Sequence, residues 1–310
     1  MIELKNVTKK YGDFKALDDV SFKIEKGEIV GFLGQNGAGK TTTMKIITGL
    51  IEPTDGQVLI NNEPIGKKNK TKIGFMPENT PLYDSLTVKE FINFMAEIKG
   101  LKRAERKKKV IDLISKLNLG EVENKIIKNL SKGFKQRVSL AGVLVGNPEV
   151  LILDEPNVGL DPKQIIEVRN LITSLKGNHT ILLSSHILTE INQICERVII
   201  IDKGKIVATD TTENLKKKKK KNIINIVVED PDNNIEKIKD DIKEITEVKF
   251  ISKKSQNEKE YQLEVEAGAD IRKELMSKLS EFNITIVELK KAKSTLEDVF
   301  VNLVDEKGDK

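Results

Sequence analysis

A single cysteine, Cys195, occurs among 310 residues, so no internal disulfide can hold this fold. Its spacing from Ile187, Ile191 and Val198 places it on one helical face, and it reads as core. Long apolar runs are missing as well: nothing approaches the ~18 consecutive apolar residues that a membrane-spanning helix requires. The opening Met1-Ile2-Glu3-Leu4-Lys5 lacks the apolar stretch of a secretion signal, and a cytosolic protein is expected. Charge of one sign is not in excess either. The 53 basic residues face 48 acidic ones, and a net +5 spread over so mixed a surface argues for no partner by itself. Sustained heptads are absent, which excludes a long coiled coil. What is present suffices for a sizeable core, since 38% of residues are hydrophobic and the length suggests about two domains.

One motif is complete. Gly34-Gln35-Asn36-Gly37-Ala38-Gly39-Lys40-Thr41 has the form G-x-x-x-x-G-K-[ST]. It lies between the apolar run from Glu28 to Leu33, read as a buried strand, and the segment from Thr42 to Ile47, read as a helix. Glycines let successive N–H groups turn toward one anion, the helix N-terminus adds partial positive charge, and Lys40 adds a full one. Thr41 offers a hydroxyl to magnesium. A nucleoside triphosphate site is expected over Gly34 to Thr42; the alternative is a glycine-rich turn with a solvent-facing lysine.

Around this loop the periodicity alternates. From Ile2 to about Ile60, short segments such as Val20 to Ile24 and Gly56 to Ile60 look like antiparallel strands. Between Thr87 and Asn118 the spacing is helical, with Val88, Phe91, Ile92 and Met95 on one stripe and Val110, Leu113, Ile114 and Leu117 on another. Runs at 150–153, 180–183 and 198–201, separated by helical stretches, predict a parallel, helix-covered sheet. The run from Lys216 to Lys221 is six consecutive lysines, read as an exposed linker or as a nucleic-acid or anionic-lipid contact. Beyond it the order is strand 223–228, helix 235–245, strands 248–251 and 261–265, helix 270–282, strand 284–289 and helix 295–304. That order predicts a small α+β domain, economically a ferredoxin-like sandwich, serving as scaffold, dimer contact or ligand sensor.

Leu151-Ile152-Leu153-Asp154-Glu155-Pro156 is an apolar strand ending in two carboxylates, an arrangement that places Asp154 on magnesium and leaves Glu155 free to polarise an attacking water. The plain alternative is a strand-end turn closed by Pro156. With Leu130-Ser131-Lys132-Gly133-Phe134 ahead of Lys135-Gln136-Arg137, and His186 after Ser184-Ser185, residues 1 to about 215 resemble the ABC-type ATPases. The resemblance implies ATP and Mg2+ as ligands, with Lys40, Glu155 and His186 at the chemistry and Thr41, Asp154 and Glu78 on the metal. It implies that Tyr11 stacks on adenine and that residues 157–161 link two sites. It also implies a homodimer in which Ser131 and Gly133 close over the nucleotide of the partner. Alone, Tyr11 reads as a core or strand-edge residue, His186 as a helix cap and Glu78 as a loop acid. Four positions depart from the family's pattern: Lys132 replaces a glycine, Phe134 a glutamine, Glu78 a glutamine and Asn157 a threonine.

The Leu-Ser-Lys-Gly pattern, Glu78, the lone ATPase half and the ending Ser294-Thr295-Leu296-Glu297-Asp298-Val299-Phe300 resemble the ATP-binding subunits of ABC exporters of the multidrug and gliding-motility type, which carry a C-terminal accessory domain. The expected fold is an α/β P-loop NTPase core over 1–215, with an antiparallel β subdomain and a helical subdomain at about 82–147, then a linker at 216–221 and the α+β domain at 222–310. The expected function is ATP hydrolysis coupled to a separate integral membrane permease, peripherally on the cytoplasmic face of the inner membrane. The permease would dock at a groove lined by Pro81, Leu82, Tyr83 and Leu86, the alternative being that these residues pack the helical insert onto the core, and no nucleic acid is expected. A soluble ATPase acting on nucleic acid or ribosomes through the lysine run is the alternative.

Overall fold

The computed structural model describes residues 1–217, 221–230, 234–255, 257–266 and 270–292. It divides into two compact units, the first Met1–Thr212 and the second from Glu213 onward. In chain order the first holds β1 (Ile2–Tyr11), β2 (Phe14–Ile24), β3 (Ile29–Leu33), α1 (Lys40–Ile47), β4 (Asp55–Ile60), β5 (Glu63–Pro64), α2 (Lys67–Lys70), β6 (Ile73–Met76), α3 (Val88–Ile98), α4 (Arg103–Lys116), α5 (Lys132–Leu144), β7 (Val150–Leu153), α6 (Pro162–Ser174), β8 (Thr180–Ser185), α7 (Leu188–Ile194), β9 (Arg197–Asp202) and β10 (Lys205–Thr211), with α8 (Thr212–Lys217) at the division.

A six-stranded sheet runs β10-β9-β3-β8-β7-β6, parallel except for β10. All five residues of β3 and all four of β7 are buried, as strands covered on both faces must be, and both end at the loops that carry polar groups. A second sheet, β2-β1-β4-β5, is antiparallel, and its apolar face joins β3 in a core containing Ile2, Leu4, Phe22, Phe32, Met44 and Ile60. Helices α3, α4 and α5 form the helical part. The expected insert is broken at Gly100, whose φ of +80° glycine adopts at little cost, and Ala96 rather than Met95 completes the buried stripe of α3.

β6 was not expected as a strand. Gly74 within it explains the need for glycine there, because an added Cβ would lie 2.5 Å from Val143 of α5, so the helix beds directly on the strand. Cys195 is buried but caps the C-terminus of α7, and Val198 belongs to β9, so the single helical face expected for them is two elements. Burial pushes the Cys195 thiol far up, which leaves it inert.

An ion pair joins the starts of two sheet strands. Arg197 Nε and Nη2 donate to Glu28 Oε1 and Oε2 at 2.7 and 2.8 Å. Burial works to raise the Glu28 pKa, but the guanidinium fork and the Glu25 N–H outweigh it and hold the carboxyl below its ordinary value. A depressed carboxylate stabilises the fold above its unfolded pKa, and that contribution is lost as pH falls through the folded value. Glu28→Gln should therefore melt below the parent at pH 7, and the gap should close in acid below the ordinary carboxylate range. Calorimetry across that range checks it.

The second unit holds β11 (Lys221–Glu229), α9 (Ile238–Asp241), β12 (Ile245–Lys253), β13 (Glu258–Glu266), α10 (Arg272–Glu281) and β14 (Thr285–Ala292). Its antiparallel sheet is ordered β12-β13-β11-β14, the split β-α-β arrangement. Ile224, Ile226, Val228, Leu263 and Val265 meet Ile235, Ile238, Leu275 and Leu279 in its core. The helix expected over 235–245 is shorter: a 3-10 turn, Asn234–Lys237, precedes α9, and Ile245 already opens β12. The expected linker is also narrower, since Lys216 and Lys217 close α8 and Lys221 opens β11. Residues 218–220, and the expected helix at 295–304, lie outside the described residues.

Candidate nucleotide site

β3 delivers the chain into the loop Gly34 to Gly39. Gly34 must lack a side chain because a Cβ there would sit 2.5 Å from the Ile201 carbonyl oxygen, and Gly39 turns into α1 at φ +109°. α1 begins at Lys40 and carries no acid in its first turn, so its N-terminal dipole is uncompensated. Lys40 is only 6% exposed. Its ammonium donates to the carbonyls of Gly34 at 2.8 Å and Gln35 at 3.2 Å, which aims it along the loop.

β7 ends beside it. Asp154 Oδ2 accepts from the Thr41 hydroxyl at 2.9 Å and Oδ1 from the Ser184 hydroxyl at 2.6 Å; Ser184 Oγ in turn accepts the Glu155 N–H at 2.9 Å. Glu155 adopts φ +49°, a left-handed conformation costly for a residue that carries a Cβ, and this turns its carboxylate back over the loop. Its Oε1 makes no hydrogen bond among the described residues and faces the Lys40 ammonium at 3.4 Å, while Oε2 accepts from His186 Nδ1 at 3.0 Å. His186 follows β8 and is half-exposed. The other histidine, His179, is buried against the Pro148 carbonyl, away from this cleft.

A cleft of about 610 Å³ opens over these groups. The residues expected from sequence that line it are Tyr11, Gln35, Asn36, Gly37, Gly39, Lys40, Thr41, Thr42, Glu78, Glu155 and His186. Gly34, Ala38 and Asp154 are buried and do not line it. Ser131 and Gly133 do not reach it. Ser131 caps α5 by accepting the Phe134 N–H at 3.5 Å, and Gly133 backs onto Gln164 of α6. Phe14 was missed: the hairpin turn at 12–13 pairs it with Tyr11 and both rings border the cleft, 66% and 51% exposed. Ser184, which joins both carboxylate residues, was missed as well.

Chemically, the loop amides, the helix N-terminus and Lys40 suit a chain of phosphates, the paired aromatics suit a flat base, and the Glu155–His186 pair suits activation of water at the far end. Fold and cleft together define a P-loop ATPase with a helical subdomain. Comparison with known proteins narrows this. The ABC transporter family profile matches residues 17–158. An uncharacterized ABC transporter ATP-binding protein of Bacillus subtilis, YxlF, is 30% identical over 98% of this chain and 99% of its own length. The bacitracin transport ATP-binding protein BcrA of Bacillus licheniformis is 40% identical over 71% of this chain and 73% of its own. Among solved structures, a dimeric ATP-binding cassette in a post-hydrolysis state with ADP and phosphate is 30% identical, with a TM-score of 0.62, covering 68% of this chain and 98% of that one. The chain belongs to the ATP-binding proteins of ABC transporters, and it is an ATPase.

Proposed function

We infer that this chain is the ATP-hydrolysing subunit of an exporter-type ABC transporter, working as a homodimer that drives a separate membrane permease from the cytoplasmic face. The chain of contacts from Lys40 through Glu155 to His186, with Asp154 on Thr41, is the single observation that carries it, because it assembles phosphate binding and water activation at one point. Relatives named for bacitracin transport, lantibiotic transport and linearmycin resistance supply the exporter direction.

In this reading Gly34 to Thr42 cradle the phosphates and Tyr11, with Phe14 beside it, holds the base. Lys40 neutralises charge on the outer phosphates. Glu155 accepts a proton from the attacking water at its carboxylate, and His186 fixes that carboxylate and contacts the γ-phosphate. Magnesium suits the donors present: Thr41 and Asp154 offer hard oxygens 2.9 Å apart and Glu78 lines the same cleft. Among the described residues no group of three or more acid, histidine or cysteine side chains forms a cage, so phosphates and water would complete the shell, the usual habit of magnesium. Bound there, it would supply charge neutralisation on the phosphates.

Ser131 and Gly133 lie outside their own cleft, which supports their serving the nucleotide of the second copy. The permease groove is assigned to the surface before α3. Tyr83 is 51% exposed, yet its ring meets Phe94 edge-on at 5.2 Å and Phe91 at 6.3 Å, forming an aromatic shelf. Such shelves anchor an amphipathic helix. Tyr83→Ala should fold and hydrolyse ATP at the parent rate, recover less membrane partner and lose the partner's stimulation of turnover. Affinity purification with ATPase assays tests this; full stimulation in the variant would remove Tyr83 from the docking site.

A further inference from the structure

Asn157 and Glu190 lie outside the cleft lining, but they connect the two segments that carry Glu155 and His186. Asn157 follows Glu155 by two residues on the loop into α6, and Glu190 stands in the first turn of α7, four residues after His186. Asn157 is 7% exposed, and its Nδ2 donates to Glu190 Oε2 at 3.0 Å. The same oxygen accepts from the Ser185 hydroxyl at 3.4 Å, and Ser185 Oγ accepts the Ile187 N–H at 3.0 Å. The residues on either side of His186 are thereby fixed to a chain that ends at Asn157. Asn157 Oδ1 is buried and finds no hydrogen-bond partner among the described residues, so the side chain is held by its donor end, at a desolvation cost to its other end. Threonine, usual at this place in the pattern the sequence resembles, ends one bond short of that donor.

We propose that Asn157 is a positioning residue for hydrolysis: through Glu190 and Ser185 it sets where His186 stands relative to Glu155, and it ties that setting to the loop 157–161. The proposal rests on ATP hydrolysis at this cleft. Asn157 does not line the cleft. Its effect is confined to the placement of the imidazole against a carboxylate that must itself sit within hydrogen-bond reach of the water it activates. In this reading nucleotide affinity rests mainly on Gly34 to Thr42 and on Tyr11 at the base, so the contact should act on kcat and change KM little.

Three variants test this in the full chain, with mant-ADP binding and melting temperature measured beside ATP turnover. Asn157→Asp sets two carboxylates against each other, and kcat should fall about tenfold with KM for ATP within about twofold of the parent. Asn157→Thr fills the place without the reach and should show the same split. Asn157→Asp combined with Glu190→Gln restores one donor facing one acceptor, in the reverse direction, and should recover most of kcat. Unchanged kcat in Asn157→Thr would overturn the proposal. So would KM and mant-ADP affinity failing in step with kcat, or a reciprocal pair that regains its melting temperature but not its turnover. A parent protein that binds mant-ADP and shows no ATP turnover would instead count against the reading of the cleft itself.

Discussion

Glu155→Gln should lower kcat by about 10²- to 10⁴-fold, the range a positioned general base contributes, while nucleotide binding persists. The substitution keeps the shape of a side chain that is 8% exposed and packed beneath Lys40 and His186. It removes only the negative charge that can accept a proton. Losing the 3.4 Å ion pair frees the Lys40 ammonium for phosphate, so affinity should be equal or higher. With hydrolysis blocked, ATP shared between two copies should hold them together, because a ligand that binds the paired state better shifts the equilibrium toward pairing. Sedimentation with and without MgATP should show a larger dimer fraction with nucleotide. Residual turnover within a few-fold of the parent would take Glu155 out of the chemistry.

Lys40→Ala should weaken ATP binding on the order of 100-fold, since it deletes a charge-assisted donor aimed along the phosphate loop. The variant also removes the ammonium that the Gly34 and Gln35 carbonyls accept from, while the close approach of Ile201 to Gly34 and of Leu17 to Gly39 is untouched, so the loop should keep its path. A second consequence is specific to this geometry. Among the described residues Glu155 Oε1 has no partner other than that ammonium, so the variant leaves a buried carboxylate without its counter-charge and should melt lower than the parent. Lys40→Ala combined with Glu155→Gln should regain melting temperature without regaining ATP affinity. Calorimetric titration and a melting curve on the same samples separate these effects.

Local sequence carried the parts of this site that are local. The loop 34–41 is contiguous, its glycines sit where a side chain would clash, and Asp154 and Glu155 fall at the end of a strand whose four residues are all buried. The second unit was legible in order because its strands and helices are short, apolar segments contiguous in sequence, β11, α9, β12, β13, α10 and β14. What escaped were long-range pairings. β6 is four residues with an internal glycine and looks like a turn until α5 is laid on it. Ser184 meets Asp154 across 30 positions, and Asn157 meets Glu190 across 33, distances over which no periodicity speaks. Phe14 escaped because nothing in an exposed hairpin aromatic distinguishes a cleft wall from open surface. The helix over 235–245 was overextended since Ile235, Ile238, Ile242 and Ile245 keep a helical spacing although the last lies in a strand; all four still point into one core.

The central claim is that ATP hydrolysis at Lys40, Glu155 and His186 drives a membrane partner, and purification of the chain from native membranes tests it most directly. The account predicts that a multi-span membrane protein co-purifies, and that ATP turnover of the complex in bilayers exceeds that of the isolated chain and collapses with Glu155→Gln. Recovery on ribosomes or nucleic acid with no membrane protein, and turnover indifferent to any bilayer partner, would contradict it.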